Sequence, residues 1–293
     1  MITPWQDRSG RFYPFKAVVF AGLLLPGVWT AIAFGLGGLG ALRLNAAIHL
    51  LGIWALRFLF LSLLITPAKE ILHWARLVQV RRMVGVAAFA YALAHLLFYV
   101  AEQSFDVATV ADEIFFRGFL TVGLAALLGL ALLAATSTDK MMKKLGGRRW
   151  RRLHRLVYAI AVVATLHYLQ QLMLGEREPI VMLGLLYWLL LYRLLGVTLA
   201  QGPLGLFSVV LMSIAAAVLT ALTEASLISV ASGVAFGRVL VLNFSLELGI
   251  RPAWIVALPG IILACAGIAP RYQALTGMKT PSASAVRPLS RRP

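Results

Sequence analysis

Five histidines are the side chains of this sequence best suited to chemistry: His49, His73, His95, His154 and His167. An imidazole inside a membrane-length apolar stretch is costly to bury and generally has a task. It serves as an interhelical hydrogen-bond partner, a proton carrier or a metal ligand, and depth separates these uses. His95 lies thirteen residues past Arg82, and His167 lies twelve past Arg155. On helices entering from the same side, those intervals are rises of about 20 and 18 Å. Two imidazoles at one depth on parallel helices are placed to ligate one iron from both axial sides. A haem iron held in this way has no open position and suits electron transfer. His95 and His167 are therefore the candidate axial ligands of a b-type haem in the outer half of the bilayer.

His154 lies thirteen residues before His167, about 20 Å nearer the opposite face. A second haem at that level needs a partner near positions 81 and 82, which hold arginines. A guanidinium stays protonated and is no ordinary axial ligand, but Arg81 and Arg82 can pair with haem propionates or with anionic lipid. On the residues alone a second haem stays open, with His73, a flavin or a quinone as substitutes at that level. His49 opens its span at the interface. His73 sits among Lys69, Glu70 and Trp74, an interfacial composition, and neither histidine is assigned as a ligand. Arg57, well inside an apolar run, is a further candidate for a propionate of the outer haem. Snorkelling or lipid pairing is the alternative for it.

The elements that position these residues are membrane spans. The 293 residues are 61% hydrophobic and 13% charged, with a mean hydropathy of +0.87. A soluble domain is nearer half apolar and a quarter charged, so this chain is solvated by lipid. Eight apolar stretches, at residues 17–36, 49–66, 83–101, 118–135, 156–174, 180–199, 204–227 and 253–269, are long enough to span hydrocarbon. The first reads as a retained helix and not as a cleaved signal.

The formal net charge of +16 follows the same plan. Cations cluster before the first span, between the second and third, in the tail, and most densely from Lys140 to Arg155 between the fourth and fifth. The alternate loops hold Glu102, Asp106, Asp112, Glu113 and Arg117, then Glu176, Arg177 and Glu178. The loop between spans six and seven has no cation of its own, and Arg193 can snorkel to it. This pattern predicts eight crossings with both termini cytoplasmic, and it assigns the positive charge to topology and not to nucleic acid. The lone Cys265 excludes an internal disulfide and a cysteine-held Fe–S cluster. No Ser–His–Asp, Cys–His or paired-carboxylate pattern and no glycine-rich dinucleotide fingerprint is present, so no complete catalytic site is expected within the chain.

The organisation divides into three parts. Residues 1–200 hold every histidine and form the haem-binding transmembrane domain. Residues 201–270 form an accessory two-helix extension, its spans joined by a Gly-containing polar stretch at 229–252. Within it Glu224 and Glu247 read as isolated carboxylates solvated near the outer face. Residues 271–293 read as a basic, disordered cytoplasmic tail.

Several blocks carry a resemblance. They are His49-Leu-Leu-Gly-Ile-Trp-Ala-Leu-Arg57 with Ile65-Thr66-Pro67, and Arg81-Arg82-Met83-Val84-Gly85 with Tyr91-Ala92-Leu93-Ala94-His95. Further on come Thr136-Ser137-Thr138, Leu145-Gly146-Gly147-Arg148-Arg149-Trp150, Leu153-His154-Arg155-Leu156-Val157-Tyr158, and His167-Tyr168. In this order, over roughly residues 40–200, they resemble the MsrQ (YedZ) family, haem-binding membrane subunits of periplasmic methionine sulfoxide reductase systems, in the ferric-reductase-like transmembrane superfamily. The resemblance implies an all-α, six-helix cytochrome b bundle in the bacterial inner membrane, here with two extra C-terminal transmembrane helices. It implies one or two haems on His95, His154 and His167. It also implies electrons drawn from the quinone pool or a flavin reductase and passed to a periplasmic molybdopterin reductase subunit. FMN is associated with the family, but no residue here locates it. The chain departs from the family pattern at Gly118, where proline is expected, and in the extension. The competing readings are a non-redox membrane protein, such as a transporter or assembly subunit, and a direct transmembrane ferric reductase.

Overall fold

Hydrocarbon offers backbone N–H and C=O groups no partner except each other, so an apolar chain in lipid folds as helix. The computed structural model of the protein describes residues 3–6, 9–171, 177–196, 205–245, 247 and 249–268. Its α-helices are α1 (Pro14–Gly35), α2 (Arg43–Ile71), α3 (Arg81–Glu102), α4 (Val107–Phe116), α5 (Gly118–Ala135) and α6 (Asp139–Leu145). They continue as α7 (Gly147–Leu153), α8 (Val157–Leu169), α9 (Glu178–Leu191), α10 (Gly205–Ser232), α11 (Phe236–Phe244) and α12 (Pro252–Ala266). No β-strand occurs among the described residues beyond one isolated bridge between Gln6 and Phe12.

Each of the eight expected spans contains a helix. Six are long and apolar enough to cross a membrane: α1, α2, α3, α5, α10, and α9 with its continuation to Leu195. The fifth and eighth are shorter, at 13 residues for α8 and 15 for α12. α8 is lengthened by a 3₁₀ turn at His154–Leu156. The expected ends at 172–174, 197–199, 204 and 269, and the whole tail at 271–293, lie outside the described residues. The protein is a multi-pass, all-helical membrane protein.

The centre of the bundle is α2, which packs against α1, α3, α8, α9 and α12. α5 lies beside both α3 and α8, so α2, α3, α5 and α8 enclose one space. A side chain from α3 repairs the adjacent α1. Pro26 interrupts that helix, and the Tyr91 hydroxyl inserts one residue further on. It accepts from the Gly27 N–H at 2.7 Å and donates to the Leu23 carbonyl at 2.8 Å, bridging an i→i−4 bond of the helix. A Cβ on Gly27 would lie 2.8 Å from that hydroxyl oxygen.

The C-terminal helices α10 and α12 pack on each other and on α9. Their close approach depends on glycine. A Cβ at Gly184 would fall 2.3 Å from Thr220 Oγ1, and one at Gly260 would fall 1.8 Å from Ser213 Oγ. The polar stretch between these helices differs from expectation. α10 continues to Ser232, and α11 forms in the segment read as a connection. The reason is visible in Asn243, which is fully buried and donates to the Ala221 carbonyl of α10 at 3.0 Å, pinning α11 to that helix.

The reading of Glu224 as a solvated, isolated carboxylate is overturned. Its residue is 4% exposed, and Oε1 accepts from Arg251 Nη2 at 2.7 Å. Arg251 also donates to Asn243 Oδ1 at 3.1 and 3.2 Å. The partner stands 27 residues away on the lead-in to α12, a pairing that local charge reading does not reveal. Glu247 is exposed, as expected.

Candidate functional site

The space among α2, α3, α5 and α8 is a cavity of about 510 Å³, within the 300–1,000 Å³ typical of cofactor and ligand sites. Its deep wall is apolar and includes Leu56, Leu59, Ala126 and Leu130. Its mouth, at the end of the bundle with the acidic loops, is lined by Asn45, His49, Gln103, Arg117, Gln170 and Gln171.

His95 from α3 and His167 from α8 both face this cavity, their ring centroids 6.3 Å apart and their planes 80° from parallel. Each ring is oriented by a carbonyl of the neighbouring helix. His95 Nδ1 lies 2.8 Å from the Ile48 carbonyl oxygen of α2, and His167 Nδ1 lies 2.8 Å from that of Phe119 in α5. A carbonyl only accepts, so each Nδ1 carries the proton and each Nε2 keeps its lone pair. Neither Nε2 makes a hydrogen bond among the described residues.

Glycines make room for both rings. A Cβ at Gly52 would lie 3.0 Å from His95 Nδ1, and one at Gly123 would lie 2.7 Å from His167 Cε1. An imidazole fixed through Nδ1 by a backbone carbonyl and presenting Nε2 is the arrangement of a metal ligand. A metal about 2 Å from one nitrogen of each ring sets the ring centres a little over 6 Å apart, as observed. No group of three or more His, Cys, Asp or Glu side chains able to hold a metal occurs among the described residues. A metal on this pair therefore takes its remaining ligands from a group that fills the cavity, and the donor set, volume and apolar wall fit a haem.

His154 lies elsewhere, beside a separate cavity of about 70 Å³ that shares Leu59 and Leu130 with the first. Arg81 and Arg82 line that cavity opposite the imidazole. The Thr136 hydroxyl donates to the Leu132 carbonyl at 2.8 Å, so His154 Nε2, 3.1 Å away, is the donor toward Thr136 Oγ1. Trp150 stacks on the ring at 4.0 Å. Among the described residues, His154 is the one imidazole lining this smaller cavity. Arg82 is itself engaged by the Asp139 carboxylate at 2.6 Å and the Ser137 carbonyl at 3.2 Å.

Arg57, expected at a propionate, does not line the main cavity. Its guanidinium lies over the Trp54 ring at 4.7 Å and donates to Glu178 at the start of α9 at 2.5 Å. The carboxylate, 121 residues away, draws it aside. His49 is exposed at the cavity mouth, and His73 is exposed in the turn after α2 with φ +51°. Sequence reasoning missed the two orienting carbonyls and the glycines opposite the rings. Glycine inside an apolar span at histidine depth is the signal for the latter.

The mouth is shaped by α4. Asp106 caps that helix, and its hydrogen bonds from the Thr109 hydroxyl and backbone hold its pKa below the usual carboxylate value. At the other end Glu113 accepts from Tyr99 Oη and pairs with Arg117 at 3.0 Å.

The bundle and its facing imidazoles define a class: a multi-pass helical membrane protein with a two-histidine site enclosed among four helices. Residues 51–165 match the family of ferric reductase like transmembrane components. The MsrQ heme-binding subunit of protein-methionine-sulfoxide reductase from Rhodospirillum rubrum is 44% identical over 190 residues, covering 64% of this chain and 89% of that protein. Its counterpart from Azospira oryzae is 40% identical over 166 residues, covering 56% and 71%. The magnetosome protein MamZ of Magnetospirillum gryphiswaldense is 39% identical over 193 residues, covering 64% of this chain but 30% of that longer protein. No solved structure matches. This chain belongs to the MsrQ family of ferric-reductase-like membrane proteins.

Proposed function

We propose that this protein is a membrane cytochrome with one haem b held between His95 and His167. It passes electrons from quinol or a reduced flavin to a methionine sulfoxide reductase outside the cytoplasmic membrane. The observation that carries the reading is the pair of carbonyl-oriented imidazoles, 6.3 Å apart, in a cavity of about 510 Å³. Each ring is tied to a neighbouring helix through Nδ1, and neither Nε2 has a hydrogen-bond partner among the described residues, which leaves it available to a metal.

The haem supplies a one-electron couple when bound. The chain's own residues hold that group and bias it. Ile48 and Phe119 fix the ring tautomers, and Gly52 and Gly123 let the helix backbones close on the rings. The apolar wall excludes water and lowers the local dielectric. Bond-making chemistry belongs to the partner, proposed as a molybdopterin reductase subunit on the acidic-loop side. On this reading the basic α6–α7 hairpin faces the cytoplasm of a bacterial inner membrane.

The test is electron delivery. The purified protein, reduced anaerobically, is mixed with a periplasmic methionine sulfoxide reductase and methionine sulfoxide. Reoxidation that requires both reductase and sulfoxide supports the proposal. Reduced protein that persists in their presence rejects this partner.

A further inference from the structure

The haem reading leaves a pair of carboxylates unassigned, since a b-type haem carries two propionates. Leaving a carboxylate unpaired against an apolar wall costs several kcal/mol after relaxation. The cavity has only one end that avoids this. Its interior wall is Leu56, Leu59, Ala126 and Leu130, and its polar residues gather at the mouth. The propionates of a bound haem would therefore be accommodated at the acidic-loop end.

The cation expected for them, Arg57, is not there. Arg57 is outside the lining and paired with Glu178, and Arg81 and Arg82 line the smaller cavity. Among the described residues, Arg117 is the permanently charged cation lining the main cavity. It stands in the extended link between α4 and α5, with φ −101° and ψ 100°, two residues before the Phe119 carbonyl that orients His167. That short covalent path ties the position of the guanidinium to the ligand.

Glu102 and Glu113 share the mouth and would repel a propionate. Glu113 is already engaged: Arg117 Nη2 lies 3.0 Å from Oε1, and Tyr99 donates to Oε2. One ion pair uses a fraction of the five guanidinium N–H donors, and the planar fork is built to take a second carboxylate.

We infer that Arg117 is the propionate-anchoring residue of this site, held at the cavity mouth by Glu113 and Tyr99. It fixes the haem with its carboxylates outward. This rests on the haem reading above, and the test separates the two.

The full-length protein is purified in detergent as wild type, Arg117→Gln, Arg117→Lys and, as a control outside the cavity, Arg57→Gln. Haem loss to excess apomyoglobin is timed for haem and for its propionate dimethyl ester, and midpoint potentials are measured. A charge-assisted hydrogen bond is worth about 1.5–3 kcal/mol, so Arg117→Gln should lose haem about 10- to 100-fold faster and at a lower potential. Arg117→Lys should fall between it and wild type. Wild type should hold haem better than the ester, and Arg117→Gln should largely lose that preference. Equal haem loss in wild type and Arg117→Gln, or an undiminished preference over the ester, overturns the assignment. If Arg117→Gln does not fold, Arg117→Lys decides: haem loss and potential equal to wild type overturn it. Wild type that binds neither porphyrin through two imidazoles overturns the underlying haem reading instead.

Discussion

At the scale of residues, the site rests on a division of labour within each imidazole. Nδ1 is fixed by a backbone carbonyl, and Nε2 is left for the cavity. The depth match between His95 and His167 was legible because helical rise turns sequence intervals into distances. The orienting carbonyls of Ile48 and Phe119 were not legible, because every backbone has carbonyls and only tertiary packing selects two of them. Gly123 shows how tight the fit is. A Cβ there would lie within 3.0 Å of three ring atoms of His167, closer than side chains pack, and the ring has little freedom to retreat from its bond to Phe119. Gly123→Ala should therefore tilt the ring and reduce haem retained per chain. Gly22→Ala, where a Cβ meets nothing within 4 Å, should leave it unchanged. Haem-to-protein ratios after identical purification check this.

At the scale of elements, the C-terminal helices are stitched into the bundle and not appended to it. α9 is their common support, through Gly184 against Thr220 and Val256, and through Trp188 donating to Ser213 at 3.0 Å. The extra spans were readable from hydropathy, but their attachment was not. It depends on a buried ion pair between residues 27 positions apart and on an asparagine in a stretch that reads as loop. Removing one partner of a buried pair leaves the other charge uncompensated, which costs about 3–5 kcal/mol. Arg251→Ala should thus destabilise the protein clearly, while Glu224→Gln, which keeps an acceptor for Arg251, should cost less. Unfolding midpoints in one detergent, followed by helical circular dichroism, compare the two. Equal midpoints for wild type and Arg251→Ala would show that the pair carries no stability.

At the scale of the whole molecule, composition and loop charge were enough to predict an all-helical, multi-pass protein, because a charge deficit this large has no solution in water. Family blocks around His95, His154 and His167 added a site. At His154 the space is a cavity of about 70 Å³ and Thr136 Oγ1 lies 3.1 Å from Nε2, neither of which sequence encodes locally. The Thr136 hydroxyl is 18 residues away. Among the described residues, a haem-sized space is reached by two imidazoles, with Arg117 at its mouth and a basic face at the opposite end.

The most direct test of this account is the absorption spectrum of the purified protein, oxidised and dithionite-reduced, with haem quantified per chain. The account predicts a Soret band, an α band that sharpens on reduction, and one haem per chain. It also predicts a highly anisotropic low-spin ferric EPR signal, since ligand planes 80° apart leave two iron d orbitals nearly degenerate. His95→Ala and His167→Ala should each abolish the low-spin centre, and His154→Ala should retain it. Two haems per chain, or a low-spin spectrum that survives loss of His95 or His167, would contradict it.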